Sequence, residues 1–481
     1  MSALSIGPGR AYLYPMPQNP ILAYGRWIAE TPPAWPEEAV ESARRAFIDL
    51  IAVSIPGAAE PVTRRVFETA APWGAGPSTA IGLGASLAPP WAALVNGAAA
   101  HALDFDDNFD PAKAHASAVL VPAILALGEG EGASGCDCLD AYIAGLQILG
   151  RVGQGVNPVH RNRGWHATAT IGAVGAAAAC ARLLKLDTDK AANAISMATS
   201  MAGGFMSQFG TMTKPLHAGL AAKAGVMAAS FARAGIDAGR DTLDGPNAMN
   251  RLMVGPDYEQ LRDNLTHVEH GQNLRFGTDN IGEPLLILSS GLKVKRFPNC
   301  GSAHRAMDGV LELQGAHGFT SDQVEAVHVF APVTHLNNLM HVNPQDGLQA
   351  KFSLEYGVAV ALVTGNATLT DFTDEAVRRP AIRDLFGRIH RRPVDKAEGE
   401  FATEVEITLK HGQVLKTAVP MPVGSLAAPF TLEQYWAKLD GCAAGLISRQ
   451  ALEKLRASLA DLSELSSLSP VTEPIKGPFL S

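Results

Sequence analysis

A chain of 481 residues, 47% hydrophobic and 18% charged, exceeds the size at which one hydrophobic core keeps growing, and predicts a large, well-buried protein of two domains. A net charge of −8 over that length argues against nucleic acid as a general partner. Five cysteines, odd in number and without pattern, exclude a disulfide scaffold and fit a reducing cytoplasm.

The first twenty residues, MSALSIGPGRAYLYPMPQNP, lack a basic start followed by an apolar stretch. They read as an extended arm and not as a targeting segment. From residue 36 to about 235 the pattern is helical, with strand-like alternation almost absent. Val40, Ala43, Phe47, Leu50 and Ile51 recur at helical spacing, and Glu37 and Glu38 fall in the first turn, where the helix dipole favours anions. The later helical stretches are rich in alanine and glycine, whose small side chains let helices approach closely. None offers the roughly twenty uninterrupted apolar residues of a membrane span, so a soluble cytoplasmic protein is expected.

Residues 236–292 read as a connection with short helices. Beyond Lys293 both periods occur: HRAMDGVLELQGAHG and KFSLEYGVAVALVTG predict helices. Residues 324–332 and 404–419 predict strands, the second a hairpin around His411-Gly412. The tail returns to helix. The predicted fold is mainly α: a large all-helical domain over residues 1–275, an inserted smaller α+β lid domain over 276–424, and C-terminal helices over 425–481 that rejoin the first domain.

The densest chemistry lies in HALDFDDNFDPAKAH, which sets Asp104, Asp106, Asp107, Asp110 and Lys113 between His101 and His115. Charges beside an apolar run must face water, a metal or a polar ligand. Carboxylates next to histidine can move protons at neutral pH. Cationic or imidazole side chains then recur at expected helix starts: His115 before Ser117, His166 before Thr168, Lys214 before Pro215, Lys293, Lys295 and Arg296 before Ser302, and Lys351 before Ser353. Ser117, Thr168 and Ser302 are the expected caps, and Pro215 the expected first helical residue.

A cation at a helix N-terminus opposes the macrodipole, and the recurrence makes sense if an anion lies between such ends. Two such sites facing each other would hold a substrate with two or more carboxylates. A cation beside a histidine would also stabilise the enolate formed when a proton leaves the neighbouring carbon. Each residue has an ordinary reading too: Lys214 and Lys295 as surface lysines, His166 as a hydrogen-bonded structural histidine, His217 as a packing residue beside Lys214, Cys300 as a small buried side chain. His101, His328, His335 and His341 have no partner at recognisable spacing and receive no role. Asp106-Asp107-Asn108-Phe109-Asp110 also forms a DDxxD string, the magnesium–diphosphate signature of helical isoprenoid synthases, but no second acidic motif accompanies it.

Five stretches in order, HALDFDDNFDPAKAHASAVLVPAILALGE, GWHATATIGAVGAAAACARLLKL, FGTMTKPLHAGLAAKAGVMAASFARAGI, KRFPNCGSAHRAMDGVLEL and KFSLEYGVAVALVTG, span residues 101–365. Together they resemble the MmgE/PrpD family, which holds 2-methylcitrate dehydratase, cis-aconitate decarboxylase and iminodisuccinate epimerase. The resemblance implies an all-helical domain with an α+β lid, a homodimer, and chemistry without an iron–sulfur cluster or other cofactor. Carried over by motif, it implies a pocket of Asp104, Asn108, His115, His166, Lys214 and Lys295, with Cys300 at a further substrate-facing position. In the decarboxylase the position of Asn108 is threonine and that of Cys300 is histidine, and its lid-strand tyrosine falls near His335 or Leu336 here. These departures point away from cis-aconitate decarboxylation.

The expected reaction is therefore a cofactor-independent elimination β to a carboxylate in a di- or tricarboxylic acid, with epimerisation of a dicarboxylate as the alternative. A non-catalytic polycarboxylate-binding protein is a further one. His115, oriented by Asp104, is the expected main proton-transfer group and His166 the proton donor. Lys214 and Lys295 are expected to hold carboxylates, and Asn108 to donate a hydrogen bond. No metal, nucleic-acid or membrane partner is expected.

Overall fold

The computed structural model describes residues 19–396 and 401–479. The expected extended arm lies outside these residues except for its end, and that end is helical. The Asn19 side chain accepts from the Leu22 N–H at 3.2 Å and starts the helix Pro20–Glu30. An Asn cap followed by Pro at the first helical position is a strong local start signal. The helix Glu37–Gly57 carries Glu37 and Glu38 in its first turn as its pattern predicts.

The molecule is mainly α with small sheets. One correction falls inside the stretch expected to be helical throughout. Strands β1 (Ala75–Ala80) and β2 (Ala85–Leu87) pair there as an antiparallel hairpin. AGPSTA has no alternating apolar pattern, and docking on the helices holds it in place. The Ser78 hydroxyl donates to the Ala126 carbonyl at 2.6 Å, and the Asn96 amide spans the Thr79 carbonyl and the Ile81 N–H at 2.8 and 3.0 Å.

The helices Pro89–His101, Ser117–Glu131, Gly135–Val156, Ala167–Leu183 and Thr213–Arg233 build the larger apolar core. A Cβ on Gly97 would stand 2.7 Å from the Gly219 Cα, and one on Gly219 would stand 2.1 Å from the Leu94 carbonyl oxygen. Only glycine permits that approach. The contact brings the end of one helix, at His101, beside the start of another, at Lys214.

Several expected caps differ. Ser117 is the first helical residue, and its hydroxyl turns to Asp107 instead of capping. His166 itself occupies the cap position of Ala167–Leu183, ahead of Thr168. Pro215 is the third residue of Thr213–Arg233, and Ser302 lies within a short 3-10 turn, Gly301–Ala303, that precedes His304–His317. Ser353 does cap Leu354–Thr364, accepting from the Tyr356 N–H at 3.2 Å.

Later in the chain, β3 (Val324–Pro332), β4 (Ile389–Val394), β5 (Thr403–Leu409) and β6 (Val414–Val419) form one sheet in the order β4-β3-β5-β6. β3 runs parallel to β4 and antiparallel to β5, and β5–β6 is the hairpin expected around His411-Gly412. β4, IHRRPV, has no strand-like signal and is a strand because it pairs along an edge, Ile389 opposite Val327. The sheet and the helices His304–His317 and Leu354–Thr364 share a second apolar core, which includes Phe297, Met307, Val327 and Ile407. Among the described residues no single helix is long and apolar enough to cross a membrane.

Candidate active site

The turn after His101 carries the charges. Asp104 sits in a left-handed backbone conformation, φ +52°, which aims its carboxylate at two cations from distant segments. Lys214 Nζ lies 2.5 Å from Asp104 Oδ1 and Lys295 Nζ lies 3.2 Å from the same oxygen. Lys295 also donates to the Asp104 carbonyl at 2.7 Å, and Lys351 donates to the Leu103 carbonyl at 2.5 Å. The Phe209 and Phe352 rings flank the Lys214 ammonium at 5.4 and 5.3 Å. Burial opposes ionisation of Asp104, but the Lys214 and Lys295 charges outweigh it and hold its carboxyl far below the usual range.

The histidines are set by a different carboxylate. His115 Nδ1 lies 2.9 Å from the Asp107 carbonyl oxygen and 3.1 Å from Asp106 Oδ2. A carbonyl only accepts, so Nδ1 carries the proton and Nε2 keeps its lone pair. Asp104 is 4.0 Å from that Nε2, so Asp106, and not Asp104, orients the ring, a correction to the expected pairing. His101, given no role from sequence, also donates from Nδ1 to Asp106 at 2.9 Å, and its ring lies 4.3 Å from that of His115.

Burial disfavours the charged form of His115, and Lys295 and Lys214 push the same way. Together they outweigh Asp106 and hold the imidazole below its ordinary value. Burial takes His101 down to about 3. Burial also opposes ionisation of Asp106, yet the two imidazoles hydrogen-bonded to it keep it well below the usual carboxylate range. His166 is pushed well down by burial and by Lys214, and its Nδ1 lies 3.0 Å from His217 Nδ1. His166 Nε2 is buried without a hydrogen-bond partner among the described residues.

The DDxxD aspartates diverge. Asp106 faces the histidines, Asp107 takes hydrogen bonds from Ser117, and Asp110 pairs with Lys293 at 2.5 Å. Burial raises Asp107 to about 7. Three carboxylates turned to three different partners do not converge on a metal–diphosphate, which corrects that reading. Ligand atoms of His101, Asp104, Asp106 and His115 do lie within 4.8 Å of one another. A metal there would meet the Lys214 and Lys295 ammonium groups on the same carboxylate, and both Nδ1–H groups are committed to Asp106.

A cavity of about 310 Å³ opens beside this group. Asp104, Asn108, His115, His166, Lys214, Lys295 and Cys300 all line it, although they come from four separate segments. Asn108 is placed by backbone bonds to Lys293, at 2.9 and 2.8 Å. Burial and the nearby Asp104 charge push the Cys300 thiol up, so it stays protonated. Sequence reasoning missed Arg161, Phe209, His335 and Asn338, which also line the cavity. Arg161 lies five residues before His166 in HRNRGWH, and nothing in that spacing marks it.

A family model described as the MmgE/PrpD N-terminal domain matches residues 25–261, and one described as the MmgE/PrpD C-terminal domain matches residues 297–463. Cis-aconitate decarboxylase of Mus musculus is 27% identical over 407 residues, covering 82% of this chain and 79% of its own. The protein of the same name from Homo sapiens is 27% identical over 405 residues, 82% and 80% of the two chains. That of Aspergillus terreus is 25% identical over 477 residues, 92% and 94%.

Proposed function

The chain belongs to the MmgE/PrpD family, and from that premise we propose that it is a lyase acting on a tricarboxylate or a related polycarboxylic acid. One observation carries the reading: a neutral imidazole, His115, has its free Nε2 on the cavity wall that holds the Asp104–Lys214–Lys295 cluster. The substrate carboxylate sits against Lys214 and Lys295. His115 Nε2 removes the proton from the carbon next to it, and the electron pair of that C–H bond moves into the enolate that the two ammonium groups stabilise. The enolate then expels hydroxide from the β-carbon. The proton held by His115 passes to the departing oxygen, so the products are water and an alkene. With His217 Nδ1–H donating to His166 Nδ1, His166 presents Nε2–H to the cavity and hydrogen-bonds the leaving oxygen.

The lowered value of His115 keeps its imidazole neutral at neutral pH, so that Nε2 is available to take a proton, and this supports proton removal as the first step. Loss of carbon dioxide from an unsaturated tricarboxylate, the second reading, rests on the names of the relatives. It asks the pocket to deliver a proton to carbon after the C–C bond breaks, a step that falls to His166 Nε2–H because a neutral His115 starts without that proton. Epimerisation uses the same enolate with the proton returned to the opposite face.

We also propose that the α+β part, residues 276–424, is a lid over the helical domain of residues 1–275, with residues 425–481 returning to that domain. Its support is that Cys300, Ser302, His335 and Asn338 line the same cavity as Asp104 and His166. A cytoplasmic homodimer is proposed as well. Exposed Phe205, Met212, Met340 and Val342 lie on segments flanking the cavity and suit a partner surface.

The test is incubation of the purified protein with hydroxy- and amino-polycarboxylates in deuterated water, followed by NMR. A new alkene signal is expected. Deuterium exchange without net loss would replace elimination by epimerisation, and release of carbon dioxide would replace it by decarboxylation.

A further inference from the structure

The cluster around Asp104 supplies little net charge for a polyanion, although Lys113 and Arg305 also line the cavity. Asp104 offsets one of the Lys214 and Lys295 ammonium charges and leaves one positive charge facing the cavity. Lys293, also on the wall, is paired with Asp110. The short helix Val159–Asn162 carries Arg161 into the cavity lining. Its Nη2 donates to the Asn338 Oδ1 at 2.8 Å, and Asn338 Nδ2 donates to the Ser302 hydroxyl at 2.9 Å.

An uncharged amide is the only partner of this guanidinium among the described residues. Three other partly buried arginines here have a carboxylate: Arg182 has Asp140 at 2.7 Å, Arg391 has Glu355 at 2.6 Å, and Arg296 has Asp308 at 3.0 Å. Arg151 instead spends its donors on the Ile281, Asn280 and Glu283 carbonyls and the Gln154 amide, none of which lines this cavity. A guanidinium has five N–H donors in a planar fork that matches a carboxylate. Arg161 spends one on the amide that aims it and keeps the rest for a ligand.

We propose that Arg161, held by Asn338, binds a substrate carboxylate beyond the reach of Lys214 and Lys295, and so selects acids with three carboxylates over acids with two. This subsite rests on the polycarboxylate reading of the cavity. It also ties the two halves of the site together, because the group that aims Arg161 comes from the α+β part.

The test uses two unreactive acids, propane-1,2,3-tricarboxylate and pentanedioate, titrated calorimetrically into wild type, Arg161→Gln and Asn338→Asp. Wild type is expected to bind the tricarboxylate roughly 10- to 100-fold more tightly, the range of a hydrogen-bonded charged contact. Arg161→Gln removes that preference and leaves pentanedioate within about three-fold. Asn338→Asp sets a carboxylate against the intact guanidinium, and the same selective loss is expected from it. Should Arg161→Gln fail to fold, Asn338→Asp and Arg161→Lys carry the comparison. Equal weakening of both acids in the variants, or an unchanged preference, overturns the subsite. Wild type binding both acids equally overturns it and leaves the polycarboxylate reading standing. Wild type binding neither acid removes that reading and the subsite together.

Discussion

Replacing Asp104 by Asn strips the carboxylate from under two buried ammonium groups and changes little else. Asn tolerates the left-handed backbone at φ +52°, whereas Ala would add strain of roughly 1–2 kcal/mol. Asp104, Lys214 and Lys295 are 5%, 5% and 2% exposed, so little water replaces the lost partner. Removing one member of a buried pair destabilises by about 3–5 kcal/mol. The cavity lets some solvent reach the lysines, which favours the low end, about 3 kcal/mol. The effect also has a pH signature. The folded-state value of Asp104 lies below its unfolded value of about 3.9, so its contribution is complete above that pH and is lost as the pH falls through the folded value. Urea unfolding of wild type and Asp104→Asn, followed by near-UV circular dichroism, is expected to give a constant difference from pH 7 to 5 that shrinks below about pH 4. A difference under about 0.5 kcal/mol at pH 7, or one that grows on acidification, would refute the argument.

His115→Ala is expected to lower turnover by roughly two orders of magnitude or more with modest loss of binding, measured by steady-state kinetics beside calorimetry. Near-normal turnover would move the base to another group. Lys214→Ala is expected to damage binding and turnover together, because the carboxylate it holds is present in ground and transition states alike; a pure turnover defect would contradict that role. Turnover is expected to hold constant at neutral pH and to fall only on the acid side, since burial and the lysines keep His115 neutral down to a pH below its ordinary value of 6.5. A pH–rate profile with its acid limb centred above 6.5 would exclude His115 in this role. Dialysis against a chelator is expected to leave activity unchanged, and loss restored by magnesium would return Asp106, Asp107 and Asp110 to consideration as ligands.

Some of this molecule is legible from neighbouring residues. Apolar spacing and first-turn acids mark Glu37–Gly57, alternation and the His411-Gly412 turn mark β5–β6, and Ser353 marks its helix start. Five ordered blocks also name the family and the seven residues that line the cavity. Other features have no local signature. β1 is an alanine- and glycine-containing segment that becomes a strand by docking on helices, and β4 is one by lying along an edge. The same holds inside the site. HALDFDDNFDPAKAH offers His115 four carboxylates, and nothing in their spacing tells which one it meets. The left-handed turn at Asp104 sends that carboxylate to Lys214 and Lys295, 110 and 191 residues away, and leaves Asp106 for the imidazoles. Arg161 and Asn338 meet across 177 residues. Local propensity acts over about a turn of helix, whereas ion pairing depends on which helix ends are packed side by side. For Lys214 the close approach at Gly97 and Gly219 made that choice.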